Sequence, residues 1–192
     1  NLNGVIPASI ANLTAVQYIV LAGGKLRGPI PTSIFSLSPE VYIDFFDNSF
    51  TFSDIEPLIL HFKHVTYNPQ SAIKAHFSDG ILSASAGGAI SNNTYTWYGL
   101  HTGTETIIKG DSTFIPPNYD SYYVTVTNSI CKSLILKSDT ISYPIPQISE
   151  SDSLALVDFF NNTNGQNWKK KNRWLTAAPA STWHGVSVGN NR

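Results

Sequence analysis

His61 and His64 stand at i and i+3, a spacing at which two imidazoles could share a metal ion. No third ligand stands beside them, so the pair alone does not make a zinc site. Asp54 with Glu56 and Asp44 with Asp47 are acidic pairs near turns, open to a loose Ca²⁺ site. No dense D-x-D-x-D run supplies the six to eight oxygens that Ca²⁺ takes. Ser112 follows Asp111 but lacks the G-x-S-x-G elbow of a nucleophilic serine. No glycine loop of the phosphate- or dinucleotide-binding kind is present. Cys131 is the sole cysteine, which rules out an internal disulfide. Without activating neighbours it reads as a buried or idle thiol. The expectation is a protein with no catalytic residues, no cofactor and no metal.

Composition narrows the partners. The chain has 192 residues, a formal net charge of −1, and only 13% charged residues. Nucleic-acid binding needs basic patches, and none is evident. No apolar run reaches the length of a membrane helix, so no membrane insertion is expected. The chain begins with Asn1 and contains no Met. It is expected to be a fragment of a longer protein, exported by a signal outside it.

The elements that must position any binding residues begin with a repeat. Leu2-Asn3-Gly4-Val5-Ile6-Pro7-Ala8-Ser9-Ile10 returns in the same frame as Leu26-Arg27-Gly28-Pro29-Ile30-Pro31-Thr32-Ser33-Ile34. Leu13, Ile19 and Leu21 return at the same interval as Leu37, Ile43 and Phe45, and Leu26 returns as Phe50. A fixed period of this size is the signature of stacked structural units. The alternation around Val16, Ile19 and Leu21 fits a short strand. Asn48 sits where its amide can bond the backbone of a neighbouring turn, and Gly24 takes that place one repeat earlier.

The frame resembles the plant-type leucine-rich repeat, L-x-x-L-x-L-x-x-N-x-L-x-G-x-I-P-x-x-I, over roughly residues 1–60. The resemblance implies a solenoid whose concave, ligand-facing positions are Tyr18, Val20 and Ala22, then Tyr42, Asp44 and Phe46. Two readings stay open for them. Tyr18, Tyr42 and Phe46 stack along the sheet as cross-strand aromatics, or they form a ligand face.

Residues 51–70 lose the repeat. Phe52, Ile55, Leu58, Ile59 and Phe62 could close the end of the core. From about Ser71 to Tyr143, alternating segments such as Thr94–Tyr98 and Tyr122–Thr127 recur with turns between them, as in an all-β sandwich. The interval from Leu82 to Trp97 suits a core tryptophan, and Tyr122-x-Val124 resembles a tyrosine corner. The region is similar to an immunoglobulin-like domain without its disulfide. That resemblance makes Trp97, Tyr122 and Val124 core residues.

After Pro144 and Pro146, read as a rigid linker, Leu154, Val157 and Phe160 are expected on one helical face, with Ser151 or Asp152 as N-cap. Asn164-Gly165 ends the helix, and Trp168, Trp174 and Trp183 follow. This segment resembles the N-terminal cap of bacterial leucine-rich repeat proteins, which implies tryptophans packed against the first repeat, with stacking on a sugar as the other reading. In such proteins Gly189-Asn190-Asn191-Arg192 would lead into a strand like the one that opens this chain. The implied arrangement is a tandem array, with another repeat block following Arg192.

The fold class expected is therefore mainly β. It comprises a leucine-rich repeat solenoid over 1–70, an immunoglobulin-like sandwich over 71–143, and a linker with a short helical cap over 144–192. Asp111-Ser112, Asp139-Thr140 and Asp152-Ser153 resemble a short O-glycosylation motif of Bacteroidota, which makes Ser112, Thr140 and Ser153 candidates. Asn12-Leu13-Thr14, Asn92-Asn93-Thr94 and Asn161-Asn162-Thr163 match N-sequons at chance level. The function expected is that of a non-enzymatic, secreted or cell-surface bacterial protein for adhesion, protein or glycan binding, or filament assembly. Its partner would be a protein, a glycan or neighbouring copies of itself. The alternatives are an accessory binding region of a large polysaccharide-active enzyme and a sensory ectodomain.

Overall fold

The computed structural model describes residues 2–101, 104–116, 121–142, 148–176 and 179–188. The expected linker prolines Pro144 and Pro146, and the segment Gly189–Arg192, lie outside these. The chain divides into two compact units, Asn1–Ser142 and Tyr143–Arg192.

The first unit opens with three short strands, β1 (Asn3–Gly4), β2 (Tyr18–Val20) and β3 (Lys25–Leu26). Then come β4 (Tyr42–Asp44), helix α1 (Phe52–His61) and β5 (His64–Thr66). Strands β2, β4 and β5 form a parallel sheet in that order, while β1 pairs with β3. The period of the repeat is the register itself: Tyr18 lies opposite Tyr42, Ile19 opposite Ile43, and Val20 opposite Asp44. Ile19 and Ile43 are buried, as are Ile10 and Ile34 of the two 3-10 turns Ala8–Asn12 and Thr32–Ser36. Asn48 is buried and ties successive segments together. Its Nδ2 donates to Leu21 O at 2.8 Å and its Oδ1 accepts from Leu26 N at 3.1 Å.

The repeat stops where Asp54 starts a helix. Its carboxylate accepts the Thr51 N–H at 2.8 Å, one half of a capping box. Gly28 is required beside it, because a Cβ there would run into that carboxylate. Phe52, Ile55 and Leu58 turn into the core on the i, i+3 spacing.

Eight further strands follow: β6 (Ala75–Ser78), β7 (Ile81–Ala84), β8 (Asn93–His101), β9 (Thr104–Gly110), β10 (Thr113–Phe114), β11 (Ser121–Asn128), β12 (Ile135–Lys137) and β13 (Ile141–Ser142). They make two antiparallel sheets, β10-β7-β6 and β12-β11-β8-β9, with β13 also pairing to β11. Leu82, Trp97, Val124 and Leu136 are fully buried, and Tyr122 nearly so. Within the unit, Phe52 N donates to Ala86 O, and Asn128 Nδ2 donates to Glu56 Oε1 at 2.6 Å. Gly88, at φ +71°, leaves room for Glu56 and Phe52, whose atoms a Cβ would meet at 2.5 and 2.9 Å.

The second unit is built on α2 (Glu150–Asn162). The helix starts earlier than expected because Ser149, not Ser151 or Asp152, is the N-cap, its hydroxyl accepting from Asp152 N at 3.0 Å. Leu156, Val157 and Phe160 form the packed face, and Leu154 is 60% exposed. At about 100° per residue Leu154 falls well off the arc that 156, 157 and 160 share. Asn164, in the left-handed region at φ 56°, turns the chain into the short 3-10 turn Gly165–Asn167. A Cβ on Gly165 would run into the Phe160 ring.

The expected fold class is thereby corrected. Rather than a mainly β solenoid, sandwich and cap in series, the described residues form a mixed α/β fold of four small sheets with two α-helices. The physical cause is the shortness of the alternation: each turn of the repeat supports only a three-residue strand around one buried isoleucine, Tyr18–Val20 and then Tyr42–Asp44. The first helix interrupts the series after Phe50, and the later strands pair antiparallel in sheets of their own.

Candidate ligand-binding face

Alternation along β2, β4 and β5 turns Ile19, Ile43 and Val65 to one side and sends the flanking residues to the other. One outward row is Tyr18, Tyr42 and His64; the next is Val20, Asp44 and Thr66. Tyr18 is 69% exposed, Val20 61% and Phe46 43%. The Tyr18 and Tyr42 rings lie 5.9 Å apart and tilted, and His64 stacks on the other side of Tyr42 at 6.5 Å. Tyr42 and Thr66 share a hydroxyl hydrogen bond of 2.7 Å. Asp44 Oδ1 accepts from Phe46 N at 3.0 Å, a local turn that holds the carboxylate in place. Tyr18, Val20, Tyr42, Asp44 and Phe46 thus stand on or beside one surface, with Ala22 exposed next to them. His64 and Thr66 complete it and are not among the ligand-facing residues expected from sequence. Their signal is weak because β5 falls off the repeat frame: Tyr42 pairs with His64, where the frame would put Thr66.

The other candidate chemistry disperses. His61 sits on α1 against Phe35 and Phe62, with Nε2 3.3 Å from Leu37 O, while His64 belongs to the strand face. Asp54 caps its helix and Glu56 holds Asn128. Asp47, exposed and at φ 52°, follows Phe46. Among the described residues no group of three or more His, Cys, Asp and Glu could hold a metal ion. Cys131 is buried, and burial, reinforced by the charge of Glu56, pushes its thiol up to about 12. Ser112 and Ser153 are half-buried and Thr140 is exposed.

Two aromatic sets are packed rather than presented. Trp97 donates its indole N–H to Asp111 O at 2.9 Å and stacks on Phe114 at 5.7 Å. In the second unit Phe160, Trp174 and Trp183 form a buried core, with Trp168 half-buried against it. On the outer side of β8 and β11, Tyr98 and Tyr123 stack at 4.6 Å, with Lys137 Nζ 4.2 Å from the centre of the Tyr123 ring. The sequence expectation omits this set, although alternation about Trp97 and Val124 places it there. Tyr123 donates to Glu105 at 2.6 Å; that hydrogen bond, then burial and the carboxylate's charge, raise its pKa to about 12.

No helix among the described residues is long and apolar enough to cross a membrane. Compared with known proteins, the chain matches no protein-family model, no curated protein and no solved structure.

Proposed function

We propose that this chain is a non-enzymatic, secreted or cell-surface protein whose work is to bind a partner on the β2-β4-β5 face. The supporting observation is the grouping of Tyr18, Val20 and Phe46, all exposed, around the half-buried Tyr42 and Asp44. Large apolar side chains left in water in one patch are the usual mark of an interaction surface. Rigid aromatic rings add contact area at low entropic cost. Kinship with bacterial leucine-rich repeat surface proteins belongs to this proposal and rests on the sequence frame that carries Leu2 to Leu26. Ser112, Thr140 and Ser153 belong to it as candidate glycosylation sites.

Binding to immobilised peptide and oligosaccharide arrays tests the proposal, with wild type compared against a Tyr18→Ala/Phe46→Ala double variant. The expected result is retention of wild type on one class and at least a tenfold loss in the variant, with unchanged circular dichroism. Equal retention of the two proteins, or no retention of wild type, overturns it. Retention on polysaccharide fragments alone would favour an accessory region of a polysaccharide-active enzyme.

A further inference from the structure

We propose that the β2-β4-β5 face takes a basic segment of a protein partner, with an arginine side chain placed on Asp44 and against the neighbouring aromatic rings. The inference rests on the binding role proposed above and specifies its ligand.

Asp44 is the one acidic residue in the two outward rows Tyr18-Tyr42-His64 and Val20-Asp44-Thr66, and those rows contain no Lys or Arg. Asp47 adds a second carboxylate, this one exposed, just beyond Phe46. Among the described residues the ion pair present is Lys63–Glu40, which leaves Asp44 without a cation. A half-buried carboxylate among rings, unpaired by its own chain, is complementary to a cation supplied from outside.

The neighbouring side chains decide which cation. Guanidinium is planar and weakly hydrated, stacks on aromatic faces and bonds carboxylates through a fixed fork of N–H donors. Tyr18, Tyr42 and Phe46 supply the rings, and Asp44 the acceptor. The acceptor and one of the rings are preset. Asp44 is held by the Phe46 N–H, and Tyr42 by its 2.7 Å bond to Thr66. Groups fixed before binding lose less entropy on binding. Val20, 61% exposed, is suited to an aliphatic contact rather than to a hydroxyl-rich sugar. Tyrosine, the ring of Tyr18 and Tyr42, and arginine, the side chain supplied from outside, are two of the residue types that dominate protein–protein hot spots.

The experiment uses the full chain and the peptide acetyl-Gly-Arg-Gly-Arg-Gly-amide, with calorimetry for affinity and aromatic NMR for location. Three probes serve as controls: the same peptide with lysine, the same peptide with uncharged citrulline, and cellohexaose. The expected result is that the arginine peptide shifts the ring signals of Tyr18, Tyr42 and Phe46. Citrulline should weaken binding at least tenfold, and lysine should weaken it by a smaller factor. Asp44→Asn retains the oxygen that accepts from Phe46 N, so the face is kept, yet it should cost at least tenfold in affinity. Equal affinity for the citrulline peptide, or for the Asp44→Asn protein, overturns the inference. If cellohexaose moves the same rings and the arginine peptide does not, the basic partner is wrong and the binding face stands. If no probe moves those rings, both fall.

Discussion

Two aromatic clusters, one in each unit, use their rings in opposite ways. In the second unit Trp174 lies between Phe160 at 5.5 Å and Trp183 at 4.8 Å, with Trp168 edge-on at 5.1 Å. The indole N–H groups of Trp174 and Trp168 donate to His184 O and Thr163 O. Ring faces and polar atoms are both spent inside the cluster, so its energy goes into folding. On the β2-β4-β5 face Tyr18 touches Tyr42 on one side and is otherwise 69% exposed. A ring's identity does not separate packing from recognition; whether its faces and polar atom are already occupied does.

The largest expected effect sharpens that contrast. Trp174→Ala removes the ring at the centre of the second unit's core and should cost about 3–5 kcal/mol. The measurement is chemical denaturation followed by near-ultraviolet circular dichroism, with the amide spectrum of the first unit unchanged. A cost no larger than that of Tyr18→Ala would erase the distinction between the clusters.

Asn48 comes next. Its Nδ2 reaches Leu21 O, Phe45 O and Phe46 O at 2.8, 3.2 and 3.3 Å, and its Oδ1 accepts from Leu26 N. Asn48→Ala takes the partner from Leu26 N and Leu21 O, while Phe45 O keeps Gln70 Nε2 and Phe46 O keeps Gly23 N, and should cost about 2–3 kcal/mol. The Leu26 amide should then exchange its hydrogen faster. Gly24 occupies the equivalent repeat position, but asparagine there would not repair the ladder. A Cβ on Gly24 meets Asn48 Oδ1 at 2.8 Å and Leu2 O at 2.9 Å, so Gly24→Asn should destabilise the first unit.

A smaller effect separates buried chemistry from exposed chemistry. The folded state holds the Cys131 thiol at about 12, above its ordinary 9.0. The unfolded chain therefore loses this proton first as pH rises, and stability should fall from about pH 9 upward. Denaturation midpoints at about pH 8 and about pH 9.2 check this, since that window ends short of the ordinary tyrosine value of about 10. Cys131→Ala should flatten the slope. At about pH 8 a thiol reagent should label Cys131 only when the chain unfolds.

The sequence made some of this readable and hid the rest for physical reasons. The repeat frame places Tyr18 opposite Tyr42 and Val20 opposite Asp44, because a strict repeat is also a register. It does not extend to β5, where α1 shortens the step and brings His64 rather than Thr66 opposite Tyr42. His64 and Thr66 are therefore invisible in the frame as members of the face. Trp97 and Val124 are legible as apolar positions in alternating strands, yet the same alternation places Tyr98 opposite Tyr123 on the outside. Leu154 misleads because its i, i+3 spacing to Val157 looks amphipathic, whereas the packed arc is set by Phe160. The division into four sheets lies in pairings between distant segments, such as Phe114 opposite Leu82, that no local pattern announces.

The smallest effect decides between the two sequence readings of the strand face. If Tyr18 and Tyr42 serve the sheet, their contact should behave as a cross-strand pair, worth up to about 1 kcal/mol. If they serve a partner, the contact is incidental. A double-mutant cycle between Tyr18→Ala and Tyr42→Ala isolates the pair from the 2.7 Å bond that Tyr42 makes to Thr66. The tilt of 45° at 5.9 Å, and the exposure of Tyr18, point to a coupling of about 0.3 kcal/mol or less. Tyr18→Ala alone should then change stability by under about 0.5 kcal/mol, the range of surface substitutions. A coupling near about 1 kcal/mol would make the row a stacking device like the tryptophan cluster. The contrast between the two clusters would then be one of degree.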